Sequence, residues 1–317
     1  MSIAAALSTE AKHGPVGGSA QAPPARKARL GAYLLLAPGM VYLFVFFVLP
    51  IFALLATSLY ERVPGTELGV YEPALRWQNY LASLSSYYPE LLRSFGYALT
   101  ATVAALLIGY PMAYVIAVRA RGKPLLQGLL LVLVIAPFFT SFILRTIAWR
   151  QILADESWVV GSMKFLGILP PDGRLTATAF AVVCGLTYNF LPFMVLPLFA
   201  SLERLDRRLL EAGKDLYAST AQTFWRITLP LTMPGIIAGI LLTFIPAAGD
   251  YVNAIFLGGT SQAMIGNVIQ SKYLVINDYP DAAALSFTLM AIILIALLLY
   301  IKFAGSEALM GDEEEAQ

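Results

Sequence analysis

Residues 211–230, EAGKDLYASTAQTFWRITLP, interrupt a chain that is apolar on both sides. The segment begins with charged residues, continues with small polar residues, and ends with apolar residues and a proline. Such a helix-prone polar stretch is unsuited to cross a bilayer, whereas its apolar flanks are long enough to do so. It predicts a connection between two membrane spans that lies outside the membrane. We call residues 201–230 the polar connection.

The composition of the whole chain is typical of a membrane protein. Of its 317 residues, 58% are hydrophobic and 13% are charged, and the mean hydropathy is +0.72. A soluble domain carries about 25% charged residues, so half that share cannot cover a soluble surface of this size. The net charge of +1 gives no basic field that would attract a nucleic acid. We predict an all-α membrane protein in contact with lipid, with no nucleic-acid partner.

The apolar stretches predict six transmembrane helices, because a span needs about 20 mainly apolar residues. Their expected limits are residues 33–56, 98–118, 125–148, 178–200, 233–257 and 283–301. Between the spans, residues 59–92 are interpreted as a folded cap, and residues 149–175 as containing a short amphipathic helix. The spans form one domain, residues 31–305, between a flexible tail, residues 1–30, and an acidic C-terminal tail, residues 306–317.

Lysine and arginine indicate which side faces the cytoplasm, because short cytoplasmic loops are rich in them. Basic residues cluster in the turn between the second and third spans and in the polar connection. They are Arg119, Arg121, Lys123, Arg204, Arg207, Arg208, Lys214 and Arg226. With six spans, both clusters and both termini fall on one side of the membrane, which we predict to be the cytoplasmic side.

The polar connection itself is predicted to contain two helices joined by a bend. Ser219 or Thr220 is a candidate N-cap for a short second helix, which Pro230 would end. Phe224 and Trp225 in that helix could fill a cleft on a soluble partner, while nearby charges fix the register. The alternative is an amphipathic loop that rests on lipid headgroups.

The polar connection closely resembles the Glu-Ala-Ala loop of ABC importer permeases. The family pattern is Glu-Ala-Ala, three residues and Gly, and later Ile-x-Leu-Pro; this chain has EAG at residues 211–213 and ITLP at residues 227–230. In that family the loop forms a coupling helix that docks into a groove on the ATPase subunit. The resemblance implies the type I importer permease fold and a set of ATPase-contacting residues. They are Glu211, Ala212, Gly213, Asp215, Tyr217, Ala218, Phe224, Trp225, Ile227, Leu229 and Pro230.

Tyr217 stands where the family pattern has glycine. Glycine would allow a tight turn at no steric cost. The tyrosine implies either that the turn has an ordinary backbone conformation or that the ring fills part of the ATPase groove.

Three further stretches resemble the spermidine/putrescine importer permeases. They are GYPMAYVIA (109–117), APFFTSFILRTIAWRQIL (136–153) and FIPAAGDYVNAIFLGGTSQAMIGNVIQSKY (244–273). Relatives that import other small solutes share these patterns, so other cationic or organic solutes stay open. The resemblance implies a multi-pass protein of the bacterial inner membrane. Its expected partners are two copies of an ATPase subunit, a second homologous permease and a periplasmic binding protein.

An acidic residue in the fifth span marks a candidate substrate pathway. Asp250 lies beside Pro246 and Gly249, which predict an interrupted helix that lines a cavity. Its carboxylate and the ring of Tyr251, with Asn253 close by, could hold the ammonium group of a polyamine. Asp250 could instead be a structural cap at the outer end of the span.

Arg145 and Trp149 end the third span at its predicted outer face. One interpretation is an interfacial anchor pair, which basic and aromatic residues commonly form at the membrane surface. The other is a gate, or a contact with the protein that delivers the substrate.

Missing residue types exclude several chemistries. The one histidine, His13, lies in the N-terminal tail, and the one cysteine, Cys184, lies in an apolar run. Catalysis by a histidine within the spans, a disulfide within the chain and a thiolate metal site are therefore excluded. The sequence has no phosphate-binding Gly-x-x-x-x-Gly-Lys-Ser/Thr motif. We expect no enzymatic activity and no cofactor on this chain, with ATP and Mg²⁺ bound by the partner subunits.

Other function classes fit the sequence less well. An ion-coupled secondary transporter would need ion ligands inside the membrane and usually an internal repeat, and no clear repeat is present. An intramembrane enzyme would need catalytic residues that the spans lack. A signalling or assembly scaffold would not explain the polar connection.

Overall fold

The computed structural model describes residues 36–63, 65 and 69–314. The described residues divide into two units between Ala53 and Leu54. The flexible tail predicted for residues 1–30 lies outside the described residues.

Helices form most of the described chain. The first are α1 (Leu36–Ser58), α2 (Gln78–Arg119), α3 (Pro124–Phe139), α4 (Phe142–Ile152) and α5 (Trp158–Phe165). The next are α6 (Ala179–Glu203), α7 (Arg207–Asp215), α8 (Thr220–Leu231) and α9 (Met233–Ala248). The last are α10 (Val252–Leu257), α11 (Ile265–Leu274) and α12 (Tyr279–Glu314). Strands β1 (Glu61–Arg62) and β2 (Tyr71–Glu72) pair antiparallel between α1 and α2.

The all-α membrane fold is confirmed. Among the described residues, four helices are long and apolar enough to span a membrane: α1, α2, α6 and α12 as far as Leu299. The number rises to six if each of two bent pairs counts as one span. The helices α3 and α4 meet at 97°, and α8 and α9 meet at 66°. The predicted orientation of the termini stays a prediction.

Three predicted boundaries need correction. Helix begins at Gln78 rather than near residue 98: a first helical stretch, residues 78–86, leads across a kink at Tyr87 (φ −119°, ψ 17°) into the long part of α2, so much of the segment predicted as a folded cap is helical. The third span is sharply bent where Thr140, with extended backbone angles, separates α3 from α4. α12 begins at Tyr279 and runs to Glu314, through most of the segment predicted as an acidic tail.

Local sequence explains where other helices begin. Thr178 precedes α6, and its Oγ1 accepts a hydrogen bond from the N–H of Ala181 at 3.2 Å. Ser157 caps α5 in the same way, with its Oγ accepting from the N–H of Val160 at 3.1 Å. The helix predicted within residues 149–175 is thus confirmed as α5.

Small residues bring α2, α6 and α9 together in the core. Ala98, Ala101 and Ala105 on α2 are fully buried. On α9, a Cβ at Gly235 would lie 2.4 Å from the Cβ of Ser201 and 2.8 Å from the backbone oxygen of Pro197, both on α6. The absence of a side chain at Gly235 therefore allows the backbones of α6 and α9 to approach closely.

We expect Gly235→Ala to destabilise the bundle, because its methyl group would overlap the α6 backbone. Overpacking of this kind costs about 1–3 kcal/mol. Gly128→Ala is the matched control, since a Cβ at Gly128 in α3 meets nothing within 4 Å. Thermal unfolding in detergent should show a lower Tm for Gly235→Ala and no loss for Gly128→Ala. Equal Tm values would contradict the close packing of α6 and α9.

Candidate functional site

The bend predicted in the polar connection lies between α7 and α8. Ser219 is the N-cap of α8: its Oγ accepts from the N–H of Gln222 at 3.2 Å, and Gln222 Oε1 accepts from the N–H of Ser219 at 2.8 Å. This reciprocal pair satisfies backbone donors at the start of the helix. The predicted cap and second helix are confirmed, although α8 continues one residue past Pro230 to Leu231.

Tyr217 lies at the end of α7 with a φ of 58°, in the left-handed region. The N–H of Ala218 donates to the backbone oxygen of Gly213 at 3.0 Å. This hydrogen bond is the one that closes the C-terminus of an α-helix when the next residue has left-handed backbone angles. The expectation of an ordinary backbone conformation at Tyr217 is therefore wrong. Tyr217 thus has the backbone conformation that favours glycine, although its side chain is that of a tyrosine.

The inner face of the polar connection is fixed to the bundle. Phe224 packs edge-on against Tyr110 of α2, with ring centroids 5.5 Å apart. The hydroxyl groups of Tyr110 and Thr232 are hydrogen-bonded at 2.9 Å. Gly213 is buried, and a Cβ there would lie 3.1 Å from Ile227 Cδ1. These contacts join the polar connection directly to α2 and to Thr232 at the start of α9.

The structure separates the predicted ATPase-contacting residues by exposure. Glu211, Ala212, Asp215, Tyr217, Trp225 and Pro230 are exposed. Gly213 is buried, while Ala218, Phe224, Ile227 and Leu229 are partly buried. The pairing of Phe224 with Trp225 as cleft-filling residues needs correction, because the Phe224 ring packs inside the chain. Adjacent residues on a helix point about 100° apart, and Trp225 is the one that faces outward.

The predicted interruption of the fifth span is confirmed between α9 and α10. Asp250 lies in the break and is only 8% exposed, and its Oδ1 accepts from the N–H of Asn253 at 2.8 Å. This hydrogen bond satisfies a backbone donor in the first turn of α10, at the break within the span and not at its outer end, where the structural alternative placed a cap. Tyr251 beside it is exposed. A role for either residue in a substrate pathway stays a prediction.

Asn253 belongs to a buried polar contact between three helices. Its Oδ1 accepts from Asn189 Nδ2 of α6 at 3.0 Å, and the same Nδ2 lies 3.1 Å from Thr146 Oγ1 of α4. A Cβ at Gly185 would lie 2.6 Å from Asn253 Oδ1, so this glycine leaves the space for the contact. Asn189 and Thr146 were not among the site residues predicted from the sequence. The signal was present, because an asparagine within an apolar span needs a polar partner.

Arg145 and Trp149 both face neighbouring aromatic side chains. The Arg145 guanidinium lies 5.3 Å from the ring centre of Phe138 and 5.6 Å from that of Phe142. Trp149 packs against Tyr188 of α6, with ring centroids 5.5 Å apart. Trp149 therefore contributes to the packing of α4 on α6, and the two residues are not brought together with Asp250 by any direct contact among the described residues.

A cluster of charged residues at the α11–α12 turn was also missed. Lys272 Nζ lies 3.1 Å from Asp278 Oδ2 and 2.8 Å from Asp281 Oδ2, and Ser83 of α2 donates to Asp281. Burial by itself lowers the pKa of Lys272, but hydrogen bonds to Asp281 and Asp278 outweigh it and raise the pKa above its usual value. This cluster fastens α11 and α12 to the beginning of α2.

Residues 109–305 match the family described as "Binding-protein-dependent transport system inner membrane component". The chain belongs to this family. It is thus a multi-pass inner-membrane permease subunit, and the matched region contains both the polar connection and the interrupted fifth span.

Individual relatives cover most of the permease. This chain is 40% identical to the Escherichia coli (strain K12) "Spermidine/putrescine transport system permease protein PotB" over 263 residues. The aligned region covers 83% of this chain and 93% of that protein. The protein of the same name from Haemophilus influenzae is 38% identical over 267 residues, 84% of this chain and 91% of that protein.

The same fold occurs in a solved transporter of low sequence identity. A bacterial ABC transporter involved in import of the acidic polysaccharide alginate superposes with a TM-score of 0.60 at 17% identity, over 88% of this chain and 97% of that chain. This likeness confirms the type I importer permease fold.

Proposed function

We propose that this permease forms half of the pathway of an ATP-driven importer for a polyamine such as putrescine or spermidine. The observation that carries the proposal is the 40% identity to a spermidine/putrescine permease, extending over 93% of that protein. A second homologous permease would form the other half, and a periplasmic binding protein would deliver the solute. The fold by itself does not choose the substrate, since the transporter with the same fold imports an acidic polysaccharide.

The charge at the interrupted span supports a cationic solute. Asp250 is an acid at the end of an apolar helix, where a carboxylate is costly unless it meets a partner or a cation. The exposed ring of Tyr251 stands next to it and could attract an ammonium group through its face. We propose that both residues meet the solute when the bundle opens during transport.

The exposed side of the polar connection would receive the ATPase subunit. Glu211, Asp215 and Trp225 are exposed there, while Phe224 packs against Tyr110 of α2. A displacement of the polar connection would be passed on to α9, because α8 joins α9 at the 66° bend at Thr232. Two ATPase subunits, binding ATP and Mg²⁺, would thereby drive the permease pair between inward-facing and outward-facing states.

Reconstituted uptake tests the proposal. Proteoliposomes would contain this chain with the ATPase, second permease and binding protein encoded beside it. We expect labelled putrescine or spermidine to accumulate only when ATP is present on the ATPase side, because transport must be powered by the partner subunits. A labelled neutral solute without amino groups, such as glucose, is the control for leakage.

Two results would contradict parts of the proposal separately. If neither polyamine accumulates while the binding protein still stimulates ATP hydrolysis, the importer assignment stands and the polyamine is wrong. If the chain does not copurify with the ATPase, the proposed role of the polar connection is wrong.

A further inference from the structure

The start of α11 lies directly against the break in the fifth span. A Cβ at Gly266, the second residue of α11, would lie 2.6 Å from the backbone oxygen of Gly249 and 2.8 Å from that of Asp250. A side chain cannot approach backbone oxygens this closely, so the contact requires a glycine or a shift of the break. Asn267 adds a hydrogen bond, since its Nδ2 donates to the backbone oxygen of Tyr251 at 2.9 Å. Two neighbouring residues of α11 thus contact three consecutive residues of the break.

We infer that Gly266 and Asn267 are positioning residues that determine where Asp250 presents its carboxylate to the solute. The inference rests on the proposed role of Asp250 in the substrate pathway. α9 ends at Ala248 and α10 begins at Val252, so the segment between them lies outside regular helix. Irregular backbone within a span needs neighbouring elements to satisfy and fix it, and the contacts from α11 do so.

The segment that leads into α11 is itself attached to α2. The N–H of Ile265 donates to Ser94 Oγ at 2.7 Å, and Arg93 Nη1 donates to the backbone oxygen of Ala263 at 2.7 Å. Ser94 and Ile265 are fully buried, so water does not compete for their hydrogen bond. The position of the break is therefore set relative to α2, through α11, and not by the fifth span alone.

Asn267 is held in the orientation that this role requires. Its Oδ1 accepts from the N–H of Met264 at 2.9 Å, so its Nδ2 is directed to the oxygen of Tyr251. The Asp250 carboxylate is held separately, by the N–H of Asn253 at 2.8 Å. The start of α10 thus orients the carboxylate, while α11 locates the backbone that carries it.

Two α11 variants and a control test the inference. Gly266→Ala adds a methyl group against the backbone of the break, and Asn267→Ala removes the donor to the oxygen of residue 251. Gly161→Ala is the control, because a Cβ at Gly161 in α5 meets nothing within 4 Å. The first measurement is the rate at which a membrane-impermeant maleimide labels Tyr251→Cys in nanodiscs, after replacement of the chain's one cysteine by Cys184→Ala. This rate reports the exposure of the break and does not depend on transport.

The second measurement is ATP-driven uptake by the same α11 variants with Tyr251 and Cys184 retained. We expect both variants to change the labelling rate, and to raise the polyamine concentration for half-maximal uptake, by at least about threefold, since a binding group must be held to within about 0.5 Å. The maximal rate of uptake should be retained. Gly161→Ala should match the unmodified protein in both measurements.

Each other outcome overturns the inference in a different way. Unchanged labelling in both α11 variants would show that the break is positioned without α11. Altered labelling with unchanged half-saturation, while Asp250→Asn raises it, would remove the positioning role alone. A lower maximal rate at unchanged half-saturation would assign Gly266 and Asn267 to stability. If labelling changes but neither the α11 variants nor Asp250→Asn alter half-saturation, the proposed role of Asp250 fails and the positioning role fails with it.

Discussion

Glu211→Lys is expected to reduce ATP-driven uptake by at least about tenfold, because truncating or reversing a charge in a buried ion pair at an interface costs about 2–5 kcal/mol. Glu211 is exposed on α7, at the first position of the motif that resembles the coupling loop. Its side chain is exposed to solvent and is not part of the core of the described residues. The loss should therefore come from weaker docking of the ATPase and not from unfolding.

The measurement compares uptake, ATPase copurification and Tm for the same preparations. Asp215→Lys should behave like Glu211→Lys, since Asp215 is exposed one turn further along α7. Glu156→Lys is the matched control, because Glu156 is an exposed acid between α4 and α5, away from the polar connection. Full uptake in both α7 variants would show that these acids do not couple the permease to the ATPase.

Hydropathy was sufficient to find the spans but not their ends. A long apolar run identifies the part of a helix that needs a bilayer, as it did for α6. The first turns of α2 are helical but polar, with Gln78 and Asn79 at the start, so a hydropathy average over a window of residues does not distinguish them from a loop. The 97° bend between α3 and α4 likewise depends on backbone angles at Thr140 that many residues can adopt.

In the polar connection, some features follow from the local sequence and others do not. The cap at Ser219 follows from local chemistry, since a hydroxyl followed three residues later by glutamine satisfies the helix start reciprocally. The left-handed conformation of Tyr217 does not follow from propensity, because the family pattern places glycine there and tyrosine disfavours it. The inward direction of Phe224 depends on Tyr110, which lies far away in sequence.

The buried contact of Asn253 with Asn189 and Thr146 lies beyond single-sequence reasoning for another reason. Each polar side chain can be recognised as costly in an apolar span, but which ones meet depends on the packing of α4, α6 and α10. Gly185 makes the approach possible and is indistinguishable in sequence from any other helix glycine. The break after α9 was predictable, because proline, glycine and an acid coincide there.

Asp250→Asn is expected to raise the polyamine concentration needed for half-maximal uptake by about tenfold. A hydrogen bond to a charged group contributes about 1.5–3 kcal/mol, and the amide lacks the charge that would hold an ammonium group. The substitution should preserve the fold, because asparagine also caps helices and its Oδ1 can still accept from the N–H of Asn253. Asp250→Ala removes both the cap and the charge, so it should also lower the Tm, by the loss of about 1 kcal/mol of helix capping. Kinetic uptake measurements on both variants separate the two roles of this carboxylate. If Asp250→Asn leaves the polyamine concentration for half-maximal uptake unchanged, and the Tm falls only in Asp250→Ala, then Asp250 serves as the cap of α10. It would then have no role in the substrate pathway.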